Sequence, residues 1–287
     1  MIPKPKSKKS QALIVEGGGM KGAFAGGALA AMCKYYPPQN FDLMLGVSAG
    51  SCSLAYYATE DEKKLISKKS ILSIWRDELH KDKFISFKEL FKFKRIMKRE
   101  YIVDEIFRER YKILLEKFTT RNFYITVSNL KTLVPNYIKV NGENFFEVLR
   151  SAISLPIATK GIHFLDDLFL SDGGIMDPIP IKTVIGKGYK DITLVLNHPR
   201  DHFSKQTNKL LSYLSFPKLK PIREFLRNEH HIKYNEAKEL ILNPPKDVKL
   251  KIIDPKEDIK ATMLTTNKKK LIRLIEHGWH EAEKIFR

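Results

Sequence analysis

The first 60 residues alternate between short apolar runs and helical stretches. Residues 11–16 and 41–45 are apolar runs that predict buried strands, and each is followed by a glycine-rich turn. Residues 23–36 are rich in alanine and are ended by Pro37-Pro38, and a second helix begins at Ser51. This strand–helix–strand–helix order is typical of a parallel sheet with helices on its faces. We therefore predict an α/β fold, a three-layer α/β/α sandwich with a mostly parallel central sheet.

Length and composition limit the class of protein. The chain has 287 residues, of which 43% are hydrophobic, enough for the core of one large domain or two small ones. Its two cysteines cannot form a disulfide framework, which favours a reducing compartment, and we expect a cytoplasmic protein. The first apolar run is too short for a signal-peptide core. No run of about 18 apolar residues occurs, so we predict no transmembrane helix.

The net charge of +18 is the strongest bias in the composition. Such a charge attracts anionic partners, for example a phospholipid surface, a nucleic acid or an acidic protein. The alternative is a lysine-rich surface that is merely solvated. No nucleic-acid-binding motif accompanies the charge, so we predict no nucleic-acid partner. Peripheral contact with an anionic membrane remains an expectation beside the solvated surface.

A serine lies between two glycines where the second strand meets the second helix. The segment Gly46-Val47-Ser48-Ala49-Gly50 has the pattern G-x-S-x-G, and the strand before it and the helix after it predict a sharp turn with the Ser48 hydroxyl at its tip. The helix N-terminus beside the turn favours negative charge, which suits a tetrahedral oxyanion. The alternative is a glycine turn with an incidental serine. We favour a nucleophile elbow with Ser48 as the nucleophile.

The candidate base for this serine is a carboxylate. Asp172 ends an apolar strand and is followed by Gly173 and Gly174, and a buried carboxylate with a raised pKa can accept a proton from a hydroxyl. An ordinary Asp-Gly turn is the alternative. None of the eight histidines lies in a context that marks a base, and we expect them to be structural or on the surface: His80, His163, His198, His202, His230, His231, His277 and His280.

A second glycine-rich turn follows the first strand. It reads Gly17, Gly18, Gly19, Met20, Lys21, Gly22 and fits the G-x-G-x-x-G pattern of dinucleotide-binding turns. That pattern requires an acidic residue at the end of the second strand, and Asp42 lies at its start instead. We favour an oxyanion hole, in which the N–H groups of Gly18, Gly19 and Met20 point toward Ser48 and Lys21 adds positive charge nearby.

The segment 62–117 is highly charged and is predicted to be helical. Lys88, Lys92, Arg95 and Arg99 follow helical spacing, and Phe87, Leu90, Phe91 and Met97 form a second set. One interpretation is a basic helix face that meets an anionic membrane. The other is a core-facing apolar side with a solvated basic side.

The three motifs in this order resemble the patatin-like phospholipase family. The resemblance depends on residues 17–22, residues 46–50 and Asp172-Gly173-Gly174, with Asp177-Pro178-Ile179-Pro180 and Ser154-Leu155-Pro156 as further landmarks. The resemblance covers about residues 11–200, and within the family the chain is similar to the bacterial single-domain members. It implies a Ser–Asp dyad without histidine. Lys21 stands where the family usually has arginine, so bidentate contact with a carboxylate or phosphate would be lost.

The predicted function is that of a serine lipid acyl hydrolase, an esterase like a phospholipase A or a lysophospholipase. It would act on a phospholipid or another acyl-ester lipid. A lipid acyltransferase with the same dyad and a membrane-binding regulatory protein with little activity remain alternatives. We expect no cofactor and no metal, since no acidic loop has calcium-ligand spacing. The expected organisation is a disordered basic tail at 1–10, a catalytic domain at 11–200 and a mainly helical extension at 201–287 packed on the same domain.

Overall fold

The computed structural model of the protein describes residues 1–60, 66–92, 95–257 and 259–287. Within them eight strands form one sheet. The strands are β1 (Gln11–Val15), β2 (Leu43–Val47), β3 (Phe123–Asn129), β4 (Val134–Lys139), β5 (His163–Leu165), β6 (Leu168–Asp172), β7 (Asp191–Val195) and β8 (Lys249–Ile253).

Nine α-helices accompany the sheet in the described part of the chain. They are α1 (Ala23–Tyr35), α2 (Ala49–Ala58), α3 (Ile66–Ser73), α4 (Phe145–Ala152), α5 (Ile181–Gly186), α6 (Lys209–Ser215), α7 (Lys220–Asn228), α8 (His230–Leu242) and α9 (Lys268–Phe286). None of these helices is both long and apolar enough to cross a bilayer.

The centre of the sheet is parallel. Strands β3, β2, β1, β7 and β8 lie side by side in that order and run in the same direction. Strands β4 and β6 pair antiparallel with β3, and β5 pairs antiparallel with β6. Successive residues of a strand point to opposite faces, and on β1 Leu13 and Val15 join a core with α1 and α2 while Ala12 and Ile14 join a core with α5 and α8. The prediction of an α/β fold with a mostly parallel central sheet is therefore confirmed.

Two strand ends meet on one edge of β3. At Thr126, β3 pairs with Val47 of β2 on one edge and with β4 on the other. One residue later, at Val127, β4 keeps its edge, and the place of β2 is taken by Asp172 of β6. Because β2 is parallel to β3 and β6 is antiparallel to it, their carboxyl ends face each other. Ser48 and Asp172 thus meet across this junction.

The expected basic helix face is not formed by the described residues of this segment. A 3₁₀-helix covers Phe87–Lys92, an isolated bridge then pairs Ile85 with Met97, and Arg99 is buried. Arg95 and Arg99 donate to acceptors of the segment 150–157 and so do not continue a helix surface. The fold of this segment is set by these partners and by burial of Ile85 and Met97, which outweigh local helical spacing. The side chains of Leu90, Phe91 and Lys92 lie outside the described residues.

The N-terminal residues differ from the disordered tail that we expected. Ile2 is buried among the residues that cover one face of the sheet, and Ser10 is also buried. Lys4, Lys6 and Lys9 stay exposed. Burial of Ile2 helps to hold the segment against the domain, because it removes apolar surface from water.

The C-terminal region is built into the same sheet. Strand β8 extends the parallel sheet beyond β7, and α9 packs along α1. The two helices approach so closely that a Cβ at Gly27 would lie 1.9 Å from the carbonyl oxygen of Ile275. One at Gly278 would lie 1.9 Å from that of Phe24. Helix α1, which directly follows the glycine turn of residues 17–22, thus packs against the C-terminal helix of the chain.

Candidate active site

Ser48 occupies a strained turn between β2 and α2. Its backbone has φ 50° and ψ −129°, a conformation that non-glycine residues rarely adopt outside functional turns. Gly50 is required by space, since a Cβ there would lie 2.5 Å from the carbonyl oxygen of Glu16. The Ser48 hydroxyl does not cap α2, so it is free to make another hydrogen bond. The geometry is that of a sharp strand-to-helix turn next to a helix N-terminus, as the G-x-S-x-G pattern predicted.

Asp172 receives the hydrogen bond of that hydroxyl. Ser48 Oγ donates to Asp172 Oδ2 at 2.5 Å, and the N–H of Gly174 donates to Asp172 Oδ1 at 2.8 Å. The Asp172 carbonyl oxygen accepts from Ser128 Oγ at 2.7 Å, which fixes the backbone of this residue. The structure therefore brings together two candidate residues that lie 124 positions apart in the sequence.

Burial controls the electrostatics of this pair. Ser48 and Asp172 are both buried, and burial raises the pKa of Asp172 from 3.8 to about 7, although the hydrogen bonds from Ser48 and Gly174 act in the opposite direction. A carboxyl group with a pKa near neutrality can accept a proton and return it within one reaction cycle. The burial of Asp172 is therefore consistent with a role as a base, which stays a prediction.

The glycine turn of residues 17–22 lies directly against Ser48. A Cβ at Gly17 would be 3.0 Å from the Cβ of Ser48. Gly18 and Gly19 have φ 146° and 55°, which glycine adopts without steric cost. Among the described residues, the N–H groups of Gly18 and Gly19 have no protein acceptor. They are the donors that an oxyanion could use.

Met20 was wrongly expected to be a donor to the oxyanion. Its N–H group donates to the carbonyl oxygen of Met263 at 3.0 Å. The N–H of Lys21 likewise donates to the carbonyl oxygen of Gly18, at 3.2 Å, within the short helix Gly19–Gly22. The physical reason is that the segment before α9 packs against this turn and accepts the hydrogen bond of Met20. That segment lies more than 200 residues away in the chain, so no local sequence pattern indicates the contact. The candidate oxyanion hole therefore has fewer N–H donors than we predicted: Gly18 and Gly19 without Met20.

Asn197 clamps the glycine turn from β7. Its Nδ2 group donates to the carbonyl oxygens of Glu16 and Gly17 at 2.7 and 3.1 Å, and its Oδ1 accepts from the N–H of Ala25 in the first turn of α1. All of these groups are buried. Asn197 thus ties the end of β1, the turn and the start of α1 together. Sequence reasoning missed it, since an asparagine after a strand is a common loop residue.

A buried ion cluster lies behind this clamp. The carboxylate of Glu16 accepts from the N–H of Asn197, from His198 and from the hydroxyl of Tyr234. Burial acts to raise the pKa of Glu16, but Lys238 and His198 together with these hydrogen bonds lower it to about 2. Glu16 is therefore an anion that anchors the backbone below the turn.

The histidines hold parts of the fold around the site. His230 Nε2 lies 3.1 Å from the carbonyl oxygen of Gly174, His163 Nε2 lies 3.0 Å from Glu147, and His198 Nδ1 lies 3.1 Å from Glu16. Among the described residues, none of the histidines is hydrogen-bonded to Ser48 or Asp172. His230 supports the loop after Asp172, a contact that the sequence alone did not indicate.

An apolar cavity opens at Ser48. Its volume is about 40 Å³, and its walls are almost entirely hydrophobic. The segment 71–107, which matched no motif, supplies much of the lining. The wall includes Met20, Trp75, Phe84, Met97, Phe107 and Leu155. A narrow apolar space next to a nucleophile is suited to a hydrocarbon chain and excludes bulky polar groups.

The Ser154-Leu155-Pro156 landmark links the cavity to Asp172. The carbonyl oxygen of Ser154 accepts from the N–H of Asp172 at 3.3 Å, and Leu155 lines the cavity. Arg99 Nη1 donates to Ser154 Oγ at 2.6 Å. This arginine therefore binds the side chain of the residue whose carbonyl oxygen contacts Asp172. The described part of the chain has no group of three or more His, Cys, Asp or Glu side chains placed to hold a metal ion.

Comparison with known families defines the class of protein. The sequence profile of the patatin-like phospholipases matches residues 13–185, and the chain belongs to this family of lipid acyl hydrolases. A second profile, described as a domain of unknown function (DUF6363), matches residues 226–287. The family prediction made from the three motifs is thus confirmed.

Two individual proteins are similar to this chain. An uncharacterized protein of Escherichia coli (strain K12), YjjU, is 24% identical over 265 residues, which cover 88% of this chain and 70% of that protein. The crystal structure of VipD from Legionella pneumophila superposes with a TM-score of 0.47 at 12% sequence identity, over 97% of this chain and 67% of that one.

Proposed function

We propose that the protein is a serine esterase that hydrolyses an acyl-ester bond of a phospholipid or lysophospholipid. The observation that carries this proposal is the 2.5 Å hydrogen bond from Ser48 to Asp172 at an apolar cavity. Membership of the patatin-like phospholipase family supports the choice of lipid substrates. The fatty acyl chain would enter the cavity, and the ester carbonyl would lie between Ser48 Oγ and the glycine turn.

The reaction follows from these positions. Ser48 Oγ attacks the carbonyl carbon while Asp172 takes its proton, and the N–H groups of Gly18 and Gly19 stabilise the oxyanion. The tetrahedral intermediate collapses, the ester C–O bond breaks, and Asp172 returns the proton to the leaving alcohol. A water molecule, deprotonated by Asp172, then attacks the acyl-enzyme, which releases the fatty acid and restores Ser48 with its proton.

Two separate assays test the dyad: labelling with a fluorescent fluorophosphonate, and hydrolysis of a short-chain ester by the unlabelled protein. Ser48→Ala should abolish labelling, and Asp172→Asn should lower hydrolysis by several orders of magnitude, since members of such a unit act together. Ser51→Ala is the matched control, because Ser51 is also buried in α2 and its hydroxyl has no hydrogen-bond partner among the described residues.

The results separate the possible roles. An Asp172→Asn variant that keeps more than about a tenth of the wild-type rate, a loss below about 1.4 kcal/mol, would remove Asp172 as the base. Labelling that persists in Ser48→Ala would assign the nucleophile elsewhere. Product analysis with added glycerol distinguishes free fatty acid, which hydrolysis predicts, from an acylated acceptor, which transfer predicts.

A further inference from the structure

Helix α6 exposes a dense set of apolar side chains. Leu210, Leu211, Tyr213 and Leu214 are 68, 46, 53 and 51% exposed, although the helix has only seven residues. Within α6, Ser212 is the buried residue. Exposed apolar side chains that are scattered singly are ordinary, but a contiguous group of this kind marks an interaction surface.

Cations surround these apolar side chains. Residues 203–227 contain Glu224 as their one acidic residue, and their basic residues are Lys205, Lys209, Lys218, Lys220, Arg223 and Arg227. Lys220 lies 3.8 Å from Glu224. Among the described residues, Lys205, Lys209 and Lys218 have no carboxylate at ion-pair distance. The surface therefore presents free positive charge next to apolar groups.

A groove between α6 and α7 combines both features. It has a volume of about 550 Å³, and four cations against one carboxylate face it: the lining residues are Lys209, Leu210, Ser212, Tyr213, Lys220, Arg223, Glu224 and Arg227. Arg223 lies over the Tyr213 ring at 5.3 Å and donates to the carbonyl oxygen of Pro217, which holds the hairpin closed. The groove offers cations to an anionic group at the base of the apolar helix.

The surface is fixed to the domain close to the candidate base. Phe216, Ile222 and Phe225 form one buried cluster with Ile175 and Met176, which directly follow the Asp172-Gly173-Gly174 turn. His230, at the start of the next helix α8, lies 3.1 Å from the carbonyl oxygen of Gly174. The hairpin of α6 and α7 therefore packs on the same buried cluster as the segment that follows Asp172.

We propose that α6 and α7 form the surface on which this protein docks to an anionic phospholipid membrane. The leucines and Tyr213 would enter the interfacial region, while the lysines and arginines would contact lipid phosphates and anionic head groups. Each cation near such a surface adds to binding in a salt-dependent way. This inference builds on the proposed function, because a lipid acyl hydrolase must reach esters held in a bilayer.

Charge argues against a second copy of the chain as the occupant. A symmetric dimer through this face would place two cationic surfaces opposite each other, and the chain as a whole carries a net charge of +18. An anionic membrane instead satisfies the cations and the apolar side chains together.

Co-sedimentation of the full chain with vesicles tests the surface. The vesicles are phosphatidylcholine with and without phosphatidylglycerol, at low and high salt. Two variants remove the surface features: Leu210→Ser with Leu211→Ser and Leu214→Ser, and Lys205→Gln with Lys209→Gln, Lys218→Gln and Lys220→Gln. Matched controls change exposed residues elsewhere: Ile232→Ser with Leu242→Ser and Ile285→Ser, and Lys131→Gln with Lys246→Gln, Lys249→Gln and Lys269→Gln.

The surface variants should bind phosphatidylglycerol vesicles at least about tenfold more weakly, while the controls keep most of the binding. Short-chain ester hydrolysis should remain unchanged in all four. Equal loss in surface and control variants would reduce the effect to net charge and overturn the proposal. So would a wild-type dimer, detected by sedimentation velocity, that the leucine variant dissociates. Vesicle binding without ester hydrolysis in the wild type would instead contradict the proposed function alone.

Discussion

At the scale of single residues, the proposed chemistry depends on one buried carboxyl group. Asp172 has two hydrogen-bond donors, from Ser48 and Gly174, and no cation among the causes that shift its pKa. Burial without a charge partner makes the ionised form costly, and that same cost makes the carboxylate a stronger base. Activity and stability therefore place opposite demands on this residue.

The pH dependence should show both effects. Hydrolysis of a soluble ester should fall with decreasing pH below about 7, because the base is then protonated. The folded-state pKa lies above the ordinary value of 3.8, so the folded protein holds this proton more tightly. Stability contributed by Asp172 is thus full at low pH and is lost as pH rises toward about 7, by up to about 4 kcal/mol.

Thermal unfolding measured across this pH range checks the sign. Asp172→Asn should become more stable than the wild type as pH rises and should match it at low pH. Ser48→Ala, which we also expect to be inactive, keeps the buried carboxyl group and should keep the loss of stability. A difference between Asp172→Asn and the wild type that does not depend on pH would show that Asp172 titrates normally.

Asn197 should act as a positioning residue for the glycine turn. Asn197→Ala removes the donor to the carbonyl oxygens of Glu16 and Gly17, so the turn that carries Gly18 and Gly19 would lose its support. We expect kcat for a soluble ester to fall by roughly tenfold to a thousandfold, up to the 10²–10³ loss that removal of one oxyanion donor causes, with a small change in KM. A folded variant whose kcat stays within twofold of the wild type would contradict this role.

At the scale of elements, the contact between α1 and α9 depends on two glycines. A Cβ at Gly278 would lie 1.9 Å from the carbonyl oxygen of Phe24, so Gly278→Ala must push the helices apart. We expect a loss of about 1–3 kcal/mol in the free energy of unfolding. Gly186→Ala is the control, because a Cβ at the end of α5 has no atom within 4 Å. Chemical denaturation measures both, and equal stability of the two variants would refute the close contact.

Several elements could be predicted from sequence because local signals agree with the fold. Apolar runs predicted β1 and β2, and the alanine-rich stretch between them predicted α1. The described part of the segment 62–117 is helical in separate pieces: α3, the 3₁₀-helix Phe87–Lys92 and two π-helices, Ile74–Glu78 and Tyr101–Arg110. The bridge of Ile85 with Met97 interrupts them, so the four basic residues do not follow one helix face. Contacts with distant residues such as Ser154 decide this region, and such contacts leave no local pattern.

At the scale of the whole molecule, the C-terminal region belongs to the core. Removing residues 244–287 deletes β8 and α9, which exposes the edge of β7 and the buried side of α1. We expect the truncated chain to lack a cooperative thermal transition. The full chain with Lys269→Ala and Lys284→Ala, two changes on the outside of α9, should unfold like the wild type. A cooperative transition in the truncated chain would show that residues 1–243 form an independent domain.

The sequence by itself determined the order of strands and helices in the first 60 residues, the sharp turn at Ser48 and the glycine turn, because turns and periodicity are local properties. Tertiary structure decided the rest. It brought the end of β6 against the end of β2, so that Asp172 meets Ser48, and it used the N–H of Met20 for Met263. It also raised the pKa of Asp172, since desolvation depends on every atom packed around a group and not on its neighbours in the chain.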